Sequence, residues 1–337
     1  MRFLYLLLLV FIFSCNSAKK TDLKAHANEM QNSPVVLNGP LSVKGSKIVN
    51  AKGDTVSFAG NSLFWSNDYY KGHSFYNKEV IKWLKDDWNS SIIRIPMAAD
   101  PTIHDSYIFD PKSNEEKVDS IVNAAIDLGL YVIIDWHSQH AEDNEAEAIA
   151  FFKKMAEKYG DYPNVIYEIY NEPLKVSWEG VIKPYAENVI AAIRSIDLDN
   201  IIVVGTPHWS QDVDVVSENP IEGYKNIAYT LHFYAGSHFE WLLNKAQKAI
   251  DNGLPIIVTE WGTVNADGDG GVNHEYTKKW MAFCQENHLT NCNWSIHDKE
   301  EGASILKLGA NPKGNWSDAD LSESGKLVKS YIKNWKK

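Results

Sequence analysis

The feature that most limits how this chain can fold is a repeated alternation between short apolar runs and longer amphipathic segments. The apolar runs are rich in Val and Ile, and segments such as Ile256–Val258 are apolar at consecutive positions. Such runs are typical of parallel strands that are buried on both faces, and an amphipathic segment between two of them is typical of a crossover helix. The chain therefore predicts an α/β fold with a parallel sheet.

The alternation predicts eight strands, each followed by a helix or a turn. The strands are Val56–Leu63, Ser91–Pro96, Tyr131–Trp136, Val165–Tyr170, Ile201–Gly205, Ile227–Phe233, Ile256–Trp261 and Asn291–Ser295. The helices are Lys78–Trp88, Glu115–Leu128, Asn144–Tyr159, Glu179–Ile196, Phe239–Asn252, His274–Asn287 and Leu321–Trp335. After the fifth strand the chain offers only a short turn at Val213–Val216. Eight such repeats predict a closed (β/α)8 TIM barrel, with an open doubly wound sheet as the alternative.

The first residues predict export. Met1-Arg2 gives a positive start, and residues 3–13 form an apolar run shorter than the roughly 20 residues that a membrane-spanning helix needs. This pattern predicts a signal peptide over residues 1–14, and Cys15 resembles the lipid-bearing cysteine of a bacterial lipobox. A plain signal peptide that happens to contain a cysteine is the alternative. We expect an exported lipoprotein at the outer membrane, cell surface or periplasm, or else a secreted protein.

The chain between the lipid site and the first barrel strand is short. Residues 15–37 are polar and predict a flexible tether. Residues 41–58 alternate apolar and polar positions around Gly45 and Gly53, which predicts one or two small N-terminal β-hairpins that cap one end of the barrel. Residues 38–337 then form one barrel domain, since such barrels use about 250 residues and absorb insertions.

Composition limits the partners. The formal net charge of -11 excludes nucleic acid, because phosphate binding needs an excess of Lys and Arg. Twelve Trp and sixteen Tyr favour a neutral partner with flat apolar faces, such as a sugar, although most of these rings are expected in the core. Cys284 and Cys292 have no CxxC or His neighbours and predict no metal site; a disulfide and two buried thiols both remain open.

Polar and aromatic residues collect where the predicted strands end, which is where parallel barrels place their active sites. The segments are Ile93-Arg94-Ile95-Pro96, Asp135-Trp136-His137, Ile169-Tyr170-Asn171-Glu172-Pro173, Leu231-His232-Phe233-Tyr234, Val258-Thr259-Glu260-Trp261-Gly262 and Asn293-Trp294. Glu172 and Glu260 provide the two carboxyl groups that glycosidic cleavage requires. The fourth and seventh strands approach each other across the barrel mouth. This favours the separation of about 5–5.5 Å that retains anomeric configuration over the wider one of about 6.5–9.5 Å that inverts it.

The motifs Asn171-Glu172-Pro173 and Glu260-Trp261-Gly262 resemble glycoside hydrolase family 5, whose catalytic glutamates lie on strands four and seven. The resemblance runs from about Asn38 to the C-terminus. Further matching stretches are Leu63-Phe64-Trp65-Ser66, Trp83-Leu84-Lys85-Asp86-Asp87-Trp88-Asn89 and Trp294-Ser295-Ile296-His297-Asp298-Lys299-Glu300. They resemble the bacterial cellulase branch more than the mannanase branch. The resemblance implies a retaining endo-β-1,4-glucanase that hydrolyses internal bonds of cellulose or related β-glucans by double displacement.

The resemblance also implies a role for each strand-end residue. Glu172 would be the acid/base and Glu260 the nucleophile. Supporting roles would fall to Arg94 and Tyr234 at the nucleophile, Asn171 at the 2-hydroxyl of the sugar, His137 and His232 beside the acid/base, and Trp294 as a stacking face. The cycle implies that the site raises the pKa of Glu172 while Glu260 stays ionised. No metal or organic cofactor is implied, and the partner would be a β-1,4-glucan polysaccharide or oligosaccharide bound by a monomer.

Residues farther from the two glutamates give weaker predictions. Trp65, His140 and Trp209 follow strands one, three and five and are candidates for outer sugar subsites. Lys299 and Glu301 are candidates for hydrogen bonds to a more distant glucose. Each of these five is explained equally well as an ordinary loop residue. The acidic stretch 266–271 lacks the terminal Glu of an EF-hand and predicts a flexible rim loop rather than a calcium site.

Three other functions compete with this interpretation. The same chemistry on mannan, xyloglucan or mixed-linkage glucan differs only in the loops around the outer subsites. A surface lipoprotein that binds glycans without cutting them predicts the loss of at least one carboxylate, and this chain has both. A barrel enzyme for phosphorylated metabolites would need a glycine-rich phosphate site after strands seven and eight, where this chain has Trp261 and Trp294.

Overall fold

The protein is a closed barrel of parallel strands with helices outside it. The structure is a computed structural model, and it describes residues 31–336. The barrel strands are β3 (Ala59–Leu63), β4 (Ile92–Ala98), β5 (Tyr131–His137), β6 (Val165–Glu168), β7 (Ile202–Val204), β8 (Ile227–Tyr234), β9 (Ile256–Gly262) and β10 (Asn291–Ile296). They pair in chain order, and β10 pairs with β3 to close the ring. The predicted (β/α)8 barrel is confirmed, and the open sheet is wrong.

Helices cover the outside of the barrel. The longer ones are Lys78–Trp88, Pro111–Leu128, Glu145–Tyr159, Lys183–Arg194, Glu240–Asp251, His274–Glu286 and Glu323–Lys333. The second begins a turn earlier than predicted, because Asp110 accepts a hydrogen bond from Ser113 N–H and Pro111 takes the first helical position. A π-helical turn, Trp178–Ile182, precedes the fourth. Shorter turns are Gly72–Phe75, Ala141–Asn144, Pro207–Ser210 and Val213–Val216.

A small N-terminal cap closes one end of the barrel. Strands β1 (Ser42–Lys44) and β2 (Lys47–Val49) form an antiparallel hairpin, as predicted. Leu41 and Ile48 pack against inward-facing apolar residues of the barrel strands. A short helix, Pro34–Asn38, lies in the range predicted as tether, and Val35 N–H donates to Gly129 O at 3.1 Å. The folded domain therefore includes residues that the polar composition assigned to the tether.

The signal peptide and Cys15 lie outside the described residues. Within residues 31–336, no helix is both long enough and apolar enough to cross a bilayer. In the same range Cys284 and Cys292 are free and buried, which decides between the two alternatives left open for them. Burial raises the pKa of both thiols, so they are unreactive components of the core.

Candidate active site

Two glutamates face one another at the C-terminal end of the barrel. Glu172 follows β6, and Glu260 lies on β9. One carboxylate oxygen of each, together with a ring nitrogen of His232, lies within 4.8 Å of the other two atoms. Three such atoms can hold a metal ion, but here His232 contacts Glu172, and Glu260 is bound by Arg94, whose charge disfavours a cation. The short separation allows one carboxylate to reach the carbon whose substituent the other protonates.

Arg94 holds Glu260 from inside the barrel. Its Nη1 donates to Glu260 Oε2 at 2.8 Å, and its Nε and Nη2 donate to Glu168 at 2.7 and 3.2 Å. Asp135 Oδ2 lies 2.9 Å from Nη2. Burial raises the pKa of Asp135 well above its usual range. The charge of Arg94 opposes this shift only in part, because one guanidinium serves three buried carboxyl groups. Burial also raises the pKa of Glu168, but the charges of Arg94 and His232 and the hydrogen bonds from these two residues together outweigh burial and bring the pKa to about 2.

Tyr234 holds the other oxygen of Glu260. Its Oη donates to Glu260 Oε1 at 2.7 Å. The Glu-Trp-Gly motif explains how the ring fits there: a Cβ on Gly262 would lie 2.3 Å from Tyr234 Cδ1. Only glycine at this position lets the ring lie flat on β9 and reach the carboxylate. Both oxygens of Glu260 therefore accept a hydrogen bond, and the side chain is oriented before any ligand arrives.

Asn171 and His137 form a second group beside the glutamates. Asn171 Oδ1 accepts from Arg94 Nη2 at 2.7 Å, so its Nδ2 faces His137 Nε2 at 3.5 Å. His137 Nδ1 lies 2.7 Å from Asp135 Oδ2. Burial, followed by the charge of Arg94, lowers the pKa of His137 to about 3, so the ring is neutral. The ring stacks on Trp294 with centroids 5.2 Å apart.

His232 is the direct partner of Glu172. Its Nδ1 lies 2.9 Å from Glu172 Oε1. Burial raises the pKa of Glu172, but the hydrogen bond and charge of His232 outweigh it and lower the pKa. Conversely, burial lowers the pKa of His232, while Glu260, Glu168 and Glu172 raise it to about 9. The prediction that the site raises the pKa of Glu172 is therefore wrong for this arrangement, in which His232 carries the proton.

A tight turn after β7 supports the backbone around Glu172. His208, Trp209 and Ser210 all have left-handed φ angles of 55–62°. The turn is secured to the Asn-Glu-Pro segment by hydrogen bonds from Ser210 Oγ to Asn171 O at 2.7 Å and from Trp209 N–H to Pro173 O at 2.8 Å. These bonds satisfy the backbone carbonyls on both sides of Glu172 and stabilise a conformation that is otherwise unfavourable.

A cavity of about 300 Å³ opens at this end of the barrel. Its walls include these predicted site residues: Trp65, His137, Asn171, Glu172, Tyr234, Glu260, Trp294, Lys299 and Glu301. Arg94 and His232 lie beneath it, fully or nearly fully buried. The stretch 266–271 contributes Ala266, Asp267 and Gly268 to the rim, which agrees with its interpretation as a rim loop.

Two predicted outer residues lie outside the cavity wall. His140 donates its backbone N–H to Ser138 Oγ at 2.9 Å in the loop after β5. Trp209 lies on the turn after β7, with Lys175 Nζ 5.6 Å from its ring centroid. Trp209 is bonded through its backbone N–H to Pro173 O and is not among the residues that line the cavity. The structure thus brings three of the five outer candidates to the cavity and leaves these two outside it.

The sequence assigned no role to several polar residues that this site contains. They are Asp135, Glu168 and Thr259 beneath the cavity, and Asp100 and Gln139 in its wall. The first three stand two positions after Ile133, Ile166 and Ile257, which point into the barrel. Because side chains alternate along a strand, a polar residue two positions after an inward-facing Ile also faces the barrel interior. This spacing is the sequence signal that identifies these three residues.

The comparison with protein families identifies the chain. Residues 49–300 match the model described as Cellulase (glycosyl hydrolase family 5). The chain belongs to glycosyl hydrolase family 5. The family predicted from the two glutamate motifs is confirmed.

Individual relatives agree with this family. The chain is 55% identical over 296 residues to Endoglucanase Z of Dickeya dadantii, covering 88% of this chain and 67% of that protein. It is 43% identical over 298 residues to an endoglucanase of Clostridium saccharobutylicum, covering 87% of this chain and 65% of that one. The chain therefore spans about two thirds of the length of these relatives. The catalytic domain of Thermobifida fusca endoglucanase Cel5A, solved with cellotetraose, has TM-score 0.84 and 30% identity over 90% of this chain and 100% of that one.

Proposed function

We propose that this protein is a retaining endo-β-1,4-glucanase with Glu172 as acid/base and Glu260 as nucleophile. The observation that carries the proposal is the approach of the two carboxylates to within 4.8 Å, with His232 beside them. That spacing supports direct attack by a carboxylate, whereas inversion needs a wider gap of about 6.5–9.5 Å to hold a water molecule.

The environment of each glutamate supports its role. Both oxygens of Glu260 accept hydrogen bonds, from Arg94 at 2.8 Å and from Tyr234 at 2.7 Å, which orient the carboxylate for attack on the sugar. Glu172 is more exposed, and its Oε1 contacts His232, a group able to exchange a proton with it. These differences in environment separate the roles of two otherwise identical side chains.

The reaction then follows in two steps. Glu260 attacks the anomeric carbon as the bond to the leaving oxygen breaks, and Glu172 gives its proton to that oxygen. In the second step Glu172 takes a proton from water as the water attacks the same carbon, and the bond to Glu260 breaks. Two displacements on opposite faces return the β-configuration. Asn171, which Arg94 holds in the cavity wall, would donate a hydrogen bond to the 2-hydroxyl of the sugar.

The substrate proposed is a β-1,4-glucan. The cavity combines aromatic faces, such as Trp65 and Trp294, with polar groups such as Asp100, Lys299 and Glu301, a mixture that suits sugar rings and their hydroxyls. The names of the relatives, which are endoglucanases, and the cellotetraose bound to the Thermobifida fusca relative support this substrate class.

Hydrolysis assays test the substrate. Carboxymethylcellulose, mannan, xyloglucan and barley β-glucan are compared, with product lengths measured by chromatography and the first-formed anomer by proton NMR. We expect rapid shortening of carboxymethylcellulose and β-anomers as first products. Release from mannan alone would reject the glucanase assignment, and α-anomers would reject the retaining mechanism.

Azide rescue tests the two roles. Glu260→Ala should abolish hydrolysis, and azide with an activated aryl β-cellobioside should then give α-cellobiosyl azide, because azide takes the place of the nucleophile. Glu172→Ala should give the β-azide instead, because the covalent intermediate still forms. The α-azide arising from Glu172→Ala would reverse the assignment.

We also propose that the protein is exported and anchored through a lipid on Cys15, supported by the apolar run 3–13 before that residue. Expression of the full chain with radiolabelled palmitate should label the wild type and not Cys15→Ala, and labelling of both would reject the anchor. The monomeric state is likewise a proposal, tested by sedimentation of the mature protein.

A further inference from the structure

A chain of hydrogen bonds runs from Glu172 into the barrel interior. Glu172 Oε1 contacts His232 Nδ1 at 2.9 Å, and His232 Nε2 contacts Thr259 Oγ1 at the same distance. Thr259 Oγ1 contacts Glu168 Oε1 at 2.6 Å. Glu168 in turn is held by Arg94. His232, Thr259 and Glu168 are almost completely buried, so water does not compete for these contacts.

The direction of these hydrogen bonds follows from counting protons. Glu168 is ionised beside Arg94 and only accepts, so the single hydroxyl proton of Thr259 points to Glu168. Thr259 Oγ1 must then accept from His232, which places a proton on Nε2. A neutral His232 therefore presents the lone pair of Nδ1 to Glu172.

This tautomer constrains Glu172. A lone pair on Nδ1 facing a carboxylate oxygen at 2.9 Å is repulsive, so the contact needs a proton on one of the two atoms. The pair has two favourable forms with one proton: an imidazolium beside a carboxylate, or a neutral imidazole beside a carboxylic acid. Loss of that proton is opposed in either form.

We propose that Thr259 and Glu168 are positioning residues that keep the proton of neutral His232 on Nε2, so that the contact between His232 and Glu172 always holds the proton needed for acid catalysis. This inference rests on the proposed function of Glu172. Neither Thr259 nor Glu168 touches the cavity, so both act only through His232 and Arg94.

The charges around His232 favour retention of the proton. The titratable groups that face it are Glu168 and Glu172 on and after β6, Glu260 on β9 and His238 after β8, with Arg94 and Asp135 behind them. The carboxylates outnumber the cations, which agrees with a raised pKa of His232. Filling the cavity with glucan removes water from Glu172 and favours the neutral pair. The Nδ1–H bond then breaks as an O–H bond forms on Glu172, and no other group gains or loses a proton.

Nitrogen NMR of the full-length protein labelled with 15N-histidine tests the tautomer directly. Above the pKa of His232 we expect Nε2 to be protonated and Nδ1 to carry no proton in the wild type. Thr259→Val, which is nearly isosteric but cannot accept, should shift the proton to Nδ1. Thr259→Ser is the matched control and should keep it on Nε2. A proton on Nδ1 in the wild type would overturn the proposal, whatever the variants do.

Kinetics test the consequence. In Thr259→Val the proton-poor pair gains a hydrogen bond from Nδ1 to the Glu172 carboxylate, so its proton is lost at lower pH. The alkaline limb of kcat/KM for cellotetraose should move down by about one pH unit from its wild-type position near 9, which is about a twofold loss at pH 8 and approaches tenfold at pH 10. The 2,4-dinitrophenyl β-cellobioside needs no protonation of its leaving group and should react within about twofold of wild type. Thr259→Ser should match the wild type with both substrates.

The outcomes separate the two proposals. Equal losses with both substrates, or a Ser variant that behaves like the Val variant, would mean that Thr259 only packs, and the inference would fail. A wild-type protein that cuts neither glucan substrate would reject the proposed function, while the NMR result would still decide the tautomer. If Thr259→Val does not fold, the wild-type spectrum and Thr259→Ser remain decisive.

Discussion

The hydrogen bond between Tyr234 and Glu260 provides a sharp test of double displacement. Tyr234 Oη donates to Glu260 Oε1 at 2.7 Å, and both side chains are buried. A bond to a carboxylate is stronger than one to an ester oxygen, so this bond weakens when Glu260 is joined to the sugar and recovers when it leaves. Tyr234→Phe should therefore impair mainly the hydrolysis of the covalent intermediate.

The size of the effect follows from the charged acceptor. A hydrogen bond to a charged group contributes about 1.5–3 kcal/mol, and about 1.4 kcal/mol changes a rate tenfold. We expect hydrolysis of the intermediate to slow by about 10- to 100-fold. Formation of the intermediate starts from the carboxylate and loses the bond on the way, so it should slow much less. Phe keeps the ring that packs on Gly262, so the fold should be unchanged.

Stopped-flow and steady-state kinetics with 2,4-dinitrophenyl β-cellobioside measure both steps. In Tyr234→Phe, kcat and KM should fall together, kcat/KM should stay within about threefold of wild type, and a burst of dinitrophenolate should appear. Tyr131→Phe is the matched control, since it loses a phenolic hydrogen bond to Gly39 O at 2.6 Å near the N-terminal cap. A loss of kcat/KM as large as the loss of kcat, without a burst, would refute the reasoning.

Three further predictions concern the same site. Gly262→Ala should displace the Tyr234 ring, whose Cδ1 would lie 2.3 Å from the new Cβ, and lower kcat at least about tenfold. The control is Gly271→Ala, whose new Cβ meets nothing within 4 Å and which should match wild type. Equal activities of the two variants would contradict this prediction. Arg94→Lys replaces a guanidinium that binds three carboxyl groups with a single ammonium, so the free energy of unfolding in urea should fall by about 3 kcal/mol. An unchanged urea midpoint would contradict this. His232 has a raised pKa of about 9, so its contribution to stability is complete below its unfolded value near 6.5 and disappears as pH rises through 9. The free energy of unfolding of wild type relative to His232→Asn should therefore fall between pH 6 and 10, and a flat difference would reject the pKa.

Much of the fold was predictable because it depends on local patterns. All eight barrel strands lie within two or three residues of their predicted ends, since consecutive Val and Ile residues mark buried parallel strands wherever they occur. The helix at Lys78–Trp88 has its predicted bounds, because Asn77 caps it and the apolar positions have helical spacing. The turn at Pro207–Ser210 was not predictable, because its left-handed residues are held by bonds to the distant Asn-Glu-Pro segment.

The sequence alone determined that a barrel forms and that Glu172, Glu260 and Trp294 stand at the ends of its strands, because strand periodicity and the polarity of strand ends are written in consecutive residues. Only the tertiary structure decided which charges meet: Arg94 among three carboxyl groups, and His232 between Glu172 and Thr259. These partners come from different strands, so their distances depend on how the ring closes. The direction of the pKa shift of Glu172 was mispredicted for that reason, because it depends on the proton carried by His232.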